Sequence, residues 1–180
     1  GITYPEGGAE QGRAVLRDLA RNPATARHLA FKLARHFVAD EPPPALVDKM
    51  TAAYTKSQGN LSAMYKAMLN ADEAWEPQLK KMRPPLQFIS ALLRSTGTKP
   101  KPQQILSTLK ALGQPLWDPS GPNGFSDVTD GWASSEGLAT RIDAANLFAH
   151  QASGSIDPRS FAADLFGPLL TADTLQVVSR

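Results

Sequence analysis

The sequence predicts an all-α protein, an irregular array of about eight to ten short helices with one long Pro/Gly-rich loop. Three observations carry that reading. Apolar residues recur at 3–4 spacing in one segment after another, and no stretch alternates polar with β-branched apolar residues as a strand would. Many of the 15 prolines stand at segment boundaries, where proline can begin a helix but not continue one. An apolar share of 42% is enough for a hydrophobic core, so a disordered chain is excluded. The 180 residues fit a single all-helical domain, 1–180. With no cysteine, neither a disulfide framework nor a cysteine-based metal site is available. No apolar run approaches the roughly 18 residues of a membrane span.

The elements follow in order. Residues 9–21 place Ala9, Val15, Leu16, Leu19 and Ala20 at helical spacing, and Asn22-Pro23 stops this helix and starts the next. The second helix, about 23–39, puts Ala26, Leu29, Ala30, Leu33 and Phe37 on one face and Phe31 and Val38 roughly opposite. Two apolar sides suit a central helix, and the remaining strip carries His28, Lys32 and Arg35. A third helix begins at Pro44, behind Asp40 and Glu41, whose charges suit a positive helix end; Leu46, Val47, Met50, Ala53 and Tyr54 face inward. Gly59 suits a left-handed stop, and Asn60 caps a fourth helix over about 61–71 with Leu61, Met64, Tyr65, Met68 and Leu69 inward. Residues 72–75 read as a short turn that buries Trp75.

Pro85 opens a helix to about 96, with Leu86, Ile89, Leu92 and Leu93 inward, and Pro102 opens another to about 112, with Ile105, Leu106, Leu109 and Leu112 inward. Residues 114–132 contain three prolines and three glycines and cannot be a continuous helix. Ser134 or Ser135 caps a helix over about 136–152, with Leu138, Ile142, Ala145 and Ala149 inward. Pro158 begins a short helix to about 165, and Thr171 caps a terminal one.

The net charge of +2 conceals an asymmetry. Residues 77–117 hold 7 cations (Lys80, Lys81, Arg83, Arg94, Lys99, Lys101 and Lys110) and no acid, whereas residues 118–180 hold 3 cations and 8 acids. A basic block can meet phosphate. Here Phe88 is the only aromatic between its cations, and no nucleic-acid-binding motif is present, so no nucleic-acid partner is expected. Pairing of the basic middle with the acidic end of the same chain is the favoured reading.

The ordered segments resemble a known family. Leu19-Ala20, then Asn22-Pro23-Ala24-Thr25-Ala26-Arg27, Lys32 to Asp40 and Pro42-Pro43-Pro44 resemble a block of the bacterial family catalogued as domain of unknown function 1800. So do Leu69 to Trp75, Gly113-Gln114-Pro115-Leu116-Trp117, Pro119, Pro122-Asn123-Gly124-Phe125, Trp132 and Arg141. The chain departs at Arg83-Pro84, where the family usually has Lys followed by Thr or Ser and Pro. The resemblance implies a longer helical protein, often exported to the periplasm and encoded beside a sulfatase-like protein, of which this chain is the C-terminal part. The opening Gly-Ile-Thr-Tyr-Pro-Glu also reads as the start of a piece. The family has no established catalytic residue to carry over.

Candidate chemistry is sparse. His28 and His36 lie eight apart, about 80° and two turns from one another, too far to share a metal; with His150 they read as structural histidines. His28, Lys32 and Arg35 form a candidate strip for an anion or a partner, with Arg35 alternatively a clamp for loop carbonyls. The second candidate is the long loop, with Gln114, Trp117, Asp118, Asn123, Asp127, Trp132 and Arg141. Asp118, Asn123, Asp127 and Asp130 offer oxygens to Ca²⁺, but Asn123 stands where an EF-hand loop requires glycine. The favoured reading is a strap pinned by Leu116, Trp117, Phe125 and Trp132, with Gln114 and Arg141 bonding its carbonyls, and with neither metal nor cofactor. No Gly-x-Ser-x-Gly elbow, His-Glu-x-x-His or phosphate-binding glycine loop appears. The expected role is an interaction or scaffold module docking a partner protein. The alternative is part of a cell-envelope hydrolase whose active site includes the missing N-terminal region, and which would gather Asp118, Asp127, His150 or Arg141 in one pocket.

Overall fold

The structure, a computed structural model, describes residues 2–76, 81–152 and 157–178. Lys80 of the basic block and Arg180 of the acidic end lie outside the described residues. The regular elements among the described residues are all helices, with no strand, as the periodicity predicts. They fall into two compact units, residues 1–81 and 82–180.

The first unit contains α1 (Ala9–Arg21), α2 (Pro23–Phe37), α3 (Pro44–Lys56), α4 (Leu61–Leu69) and a 3₁₀ turn, Asp72–Ala74. Asn22 makes the α1–α2 corner: its side chain accepts from the Ala24 N–H at 2.9 Å while Pro23 fills the first helical position. Asn60 repeats the device for α4, accepting from Ser62 at 2.9 Å and Ala63 at 3.3 Å. Gly59 takes φ +96°, so the chain turns out of α3 where a side chain would strain it. The core joins Ala26, Ala30 and Ala34 of α2 to Leu46, Val47, Met50 and Tyr54 of α3 and Met64 and Met68 of α4. The three alanines recur every fourth residue, and that shallow ridge lets α3 lie close against α2. Tyr54 keeps its hydroxyl satisfied inside this core by donating to the Ala20 carbonyl at 2.9 Å.

The second unit contains α5 (Pro85–Thr96), α6 (Pro102–Ala111), a 3₁₀ turn Thr129–Gly131, α7 (Ser135–Ala149), α8 (Pro158–Phe166), a 3₁₀ turn Gly167–Leu169 and α9 (Ala172–Val178). Its core is Ile89 of α5, Leu109 and Leu112 at the end of α6, and Ala144 and Phe148 of α7. Ser134 caps α7 by accepting from Gly137 at 3.0 Å. Asp157 caps α8 by accepting from the Ser160 N–H at 2.9 Å, and Thr171 caps α9 by accepting from Thr174 at 3.2 Å.

Several side chains expected inside are outside. Leu16 and Leu19 of α1, Phe37 of α2, and Leu61, Tyr65 and Leu69 of α4 are exposed. On α7 the buried residues are Arg141, Ala144 and Phe148, whereas Leu138 and Ile142 are exposed. The inner face of α7 therefore lies about a quarter-turn from the expected stripe. In α2 and α4, close helix approach selects the small or flexible residues of a wide apolar stripe, Ala26, Ala30 and Ala34 in α2 and Met64 and Met68 in α4, and leaves the bulky ones at the margin. Trp75, expected to be buried, is 67% exposed, and its indole N–H donates to the Leu69 carbonyl at 2.8 Å. That bond holds the ring at the end of α4 instead of in the core.

Candidate functional site

In the first unit the basic strip does not form one site. His28 and Lys32 are exposed, and Lys32 is already engaged in an interaction. Arg35 is directed at its own chain: Nε donates to the Asp40 carbonyl at 2.9 Å, Nη2 pairs with Glu41 at 3.1 Å, and the guanidinium lies 4.4 Å from the Phe31 ring centroid. It clamps the α2–α3 connection. Asp40 binds Lys81 at 2.5 Å, so one cation of the basic block pairs with an acid of the first third of the chain.

Sequence reasoning missed a concavity in this unit. Leu33, Phe37, Val38, Tyr65, Met68, Leu69, Ala74 and Trp75 line an open cavity of about 530 Å³. Its wall is apolar, and its rim is built from the large residues that the packing of α2 and α4 leaves at the margin. The signal was present in the sequence, because α2 and α4 carry wider apolar stripes than their neighbours cover.

In the second unit the loop 114–132 is anchored at its two ends. Gln114 accepts from the Leu86 N–H at 2.7 Å through its side-chain oxygen. It thus satisfies an amide in the first turn of α5, not a loop carbonyl. At the far end Trp132 is buried, its indole N–H donates to the Ser126 carbonyl at 3.1 Å, and its ring lies 6.3 Å from that of Phe125. Gly131 passes so close to Ser126 that a methyl group there would overlap the serine side chain.

Between these anchors Trp117 corrects the strap reading most sharply. It is 91% exposed, not inserted. The Asp118 N–H reaches back to the Pro115 carbonyl at 3.3 Å, which makes Leu116-Trp117 the centre of a tight turn, and Trp117 has φ +60°. That place in a type II turn belongs to glycine or asparagine, and a bulky residue held there is strained and points away from the chain. Leu116 is also largely exposed. Beside Trp117 a second open cavity of about 440 Å³ is lined by Leu86, Leu109, Gln114, Pro115, Leu116, Trp117, Pro119 and Phe125. Gln114 is its one polar lining residue.

The other loop candidates do not converge. Asp118 and Asn123 are exposed, and Asp127 is half-buried and engaged in an interaction. No group of three His, Cys, Asp or Glu side chains that could hold a metal occurs among the described residues. Arg141 bonds no loop carbonyl. It is buried in the inner face of α7, its Cζ lies 5.0 Å from the Phe88 ring centroid, and burial lowers its pKa. His150, at the end of α7, is exposed, and its Nδ1 lies 2.7 Å from the Asn146 carbonyl. No helix among the described residues is long and apolar enough to cross a membrane.

No curated protein and no solved structure matches this chain. The model of a family of proteins of unknown function, DUF1800, matches residues 1–180, and the segments that resemble that family span the same length. The chain belongs to the DUF1800 family.

Proposed function

We propose that this chain is an interaction module of an exported bacterial protein, and that it docks a partner protein through its open apolar cavities. One observation carries the reading: Trp117 is held outward on a strained turn at the mouth of an apolar cavity. A folded chain gains nothing by exposing that ring, and strain of about 1–3 kcal/mol persists where a function uses it. Exposed aromatic anchors beside apolar pockets are the usual centres of binding energy. Phe37, Tyr65 and Trp75 form a similar rim in the first unit. None of Asp118, Asp127, His150 or Arg141 is among the residues lining the cavity beside Trp117, which supports docking over the hydrolase alternative.

The family resemblance nominates the sulfatase-like protein encoded beside such chains as the partner. Photo-crosslinking tests this. A benzophenone amino acid at position 117 or 75 should crosslink to that protein, and one at exposed Lys110 should not. Equal crosslinking from all three positions would mean that the apolar cavities are not the docking sites.

A further inference from the structure

The open cavity beside Trp117 is built from a stretch with uncompensated positive charge. Residues 82–126 supply all of its lining, and they hold five cations, Arg83, Arg94, Lys99, Lys101 and Lys110, against one acid, Asp118. All five cations are exposed, and none forms an ion pair among the described residues. The acidic end of the chain leaves them unpaired, contrary to the pairing expected from the charge pattern. The cavity wall is apolar apart from Gln114. The Gln114 side-chain oxygen accepts from the Leu86 N–H at 2.7 Å, while its amide nitrogen has no acceptor among the described residues and is not sealed from solvent.

We propose that this cavity binds an acidic segment of a partner protein, a large apolar side chain flanked by Asp or Glu. The inference rests on the docking reading above and names the chemistry of the docked partner. The apolar side chain fills the hollow against Leu109, Phe125 and the Trp117 ring. A backbone carbonyl of the segment accepts from the Gln114 amide. The flanking carboxylates stay in water and answer the summed field of the five cations, so no charge is buried. Such a field favours an acidic partner over a neutral one. A bilayer would meet Leu116 and Trp117 as a protruding tip and leave the hollow behind them unfilled, so a protein segment is the better occupant.

Three capped, dye-labelled peptides test this on the full chain: Glu-Asp-Leu-Phe-Asp-Glu, the neutral Gln-Asn-Leu-Phe-Asn-Gln, and Glu-Asp-Gly-Gly-Asp-Glu, which lacks the apolar anchor. Binding is read by fluorescence anisotropy and by the Trp117 indole N–H resonance, identified by its loss in Trp117→Gly. At low salt the acidic anchored peptide should bind at least about tenfold more tightly than either of the others. Its advantage over the neutral peptide should vanish at about 1 M NaCl, where the screening length is roughly 3 Å. It should vanish equally in a variant with all five cations changed to glutamine. Equal affinity for the acidic and neutral peptides at low salt, each weakened by Trp117→Gly, would overturn the acidic partner and leave the docking reading standing. Affinities undiminished in Trp117→Gly would overturn both. Failure of all three peptides to bind would also overturn the proposal, and uptake by phosphatidylglycerol vesicles would then identify a lipid surface as the occupant.

Discussion

Trp117 shows how one residue separates stability from function. Its side chain lies in solvent and its backbone occupies a glycine position, so removing the ring costs the fold little. Trp117→Gly should change stability by no more than about 1 kcal/mol in urea unfolding, because released strain offsets the extra freedom of glycine in the unfolded chain. A loss of about 3–5 kcal/mol, the usual cost of deleting a buried tryptophan, would show that the ring is packed after all. Phe148 is the opposite case. It is fully buried, and Phe148→Ala should cost about 3–5 kcal/mol. Gly131→Ala should cost about 1–3 kcal/mol, since the methyl group must displace Ser126. A neutral result at Gly131 would mean that the loop end yields easily.

At the scale of elements, the helix starts were legible and the helix faces were only partly so. Pro23, Pro44, Pro85, Pro102 and Pro158 all occupy the first turn of their helices. The reason is local: a fixed φ and a missing N–H suit that position whatever surrounds it. The caps at Asn22, Asn60 and Thr171 were legible for the same reason. Asn60→Ala should cost about 0.5–2 kcal/mol, measured by thermal unfolding. Facing is not local. The stripe of α7 admits two orientations, and only the packing of Ala144 and Phe148 chooses between them. The loop 114–132 was legible as a loop from its prolines and glycines, but the sequence could not show that Trp132 goes in while Trp117 goes out. That choice depends on a left-handed φ at a non-glycine residue, which has no sequence signature. One cap also carries a pH dependence. Hydrogen bonds from Ser160 hold the Asp157 carboxyl below its usual 3.8. A depressed carboxyl stabilises the fold above its unfolded pKa, and that contribution is lost as pH falls through the lower, folded value. Asp157→Asn should flatten this part of the acid-unfolding curve, and an unchanged curve would remove Asp157 from the account.

On the scale of the whole molecule, each unit leaves large apolar side chains at its surface, and the first unit fills much of its core with small and flexible ones. Ala26, Ala30, Ala34, Met50, Met64 and Met68 fill the first core, while Phe37, Tyr65, Leu69 and Trp75 stay at least partly in solvent. The second unit buries Ile89, Leu109 and Phe148 and leaves Leu116 and Trp117 out. Large contiguous apolar surface at open cavities marks interaction sites. The most direct test uses the tryptophans as reporters, because Trp75 and Trp117 are exposed and Trp132 is buried. Emission is recorded while the purified sulfatase-like protein encoded beside the chain, with its own tryptophans changed to phenylalanine, is titrated in. The account predicts a saturable blue shift that halves when either exposed tryptophan is replaced, with affinity at least tenfold weaker for Trp117→Gly and no matching loss of Tm. An unshifted spectrum at saturating partner, or undiminished affinity in Trp117→Gly, would contradict it.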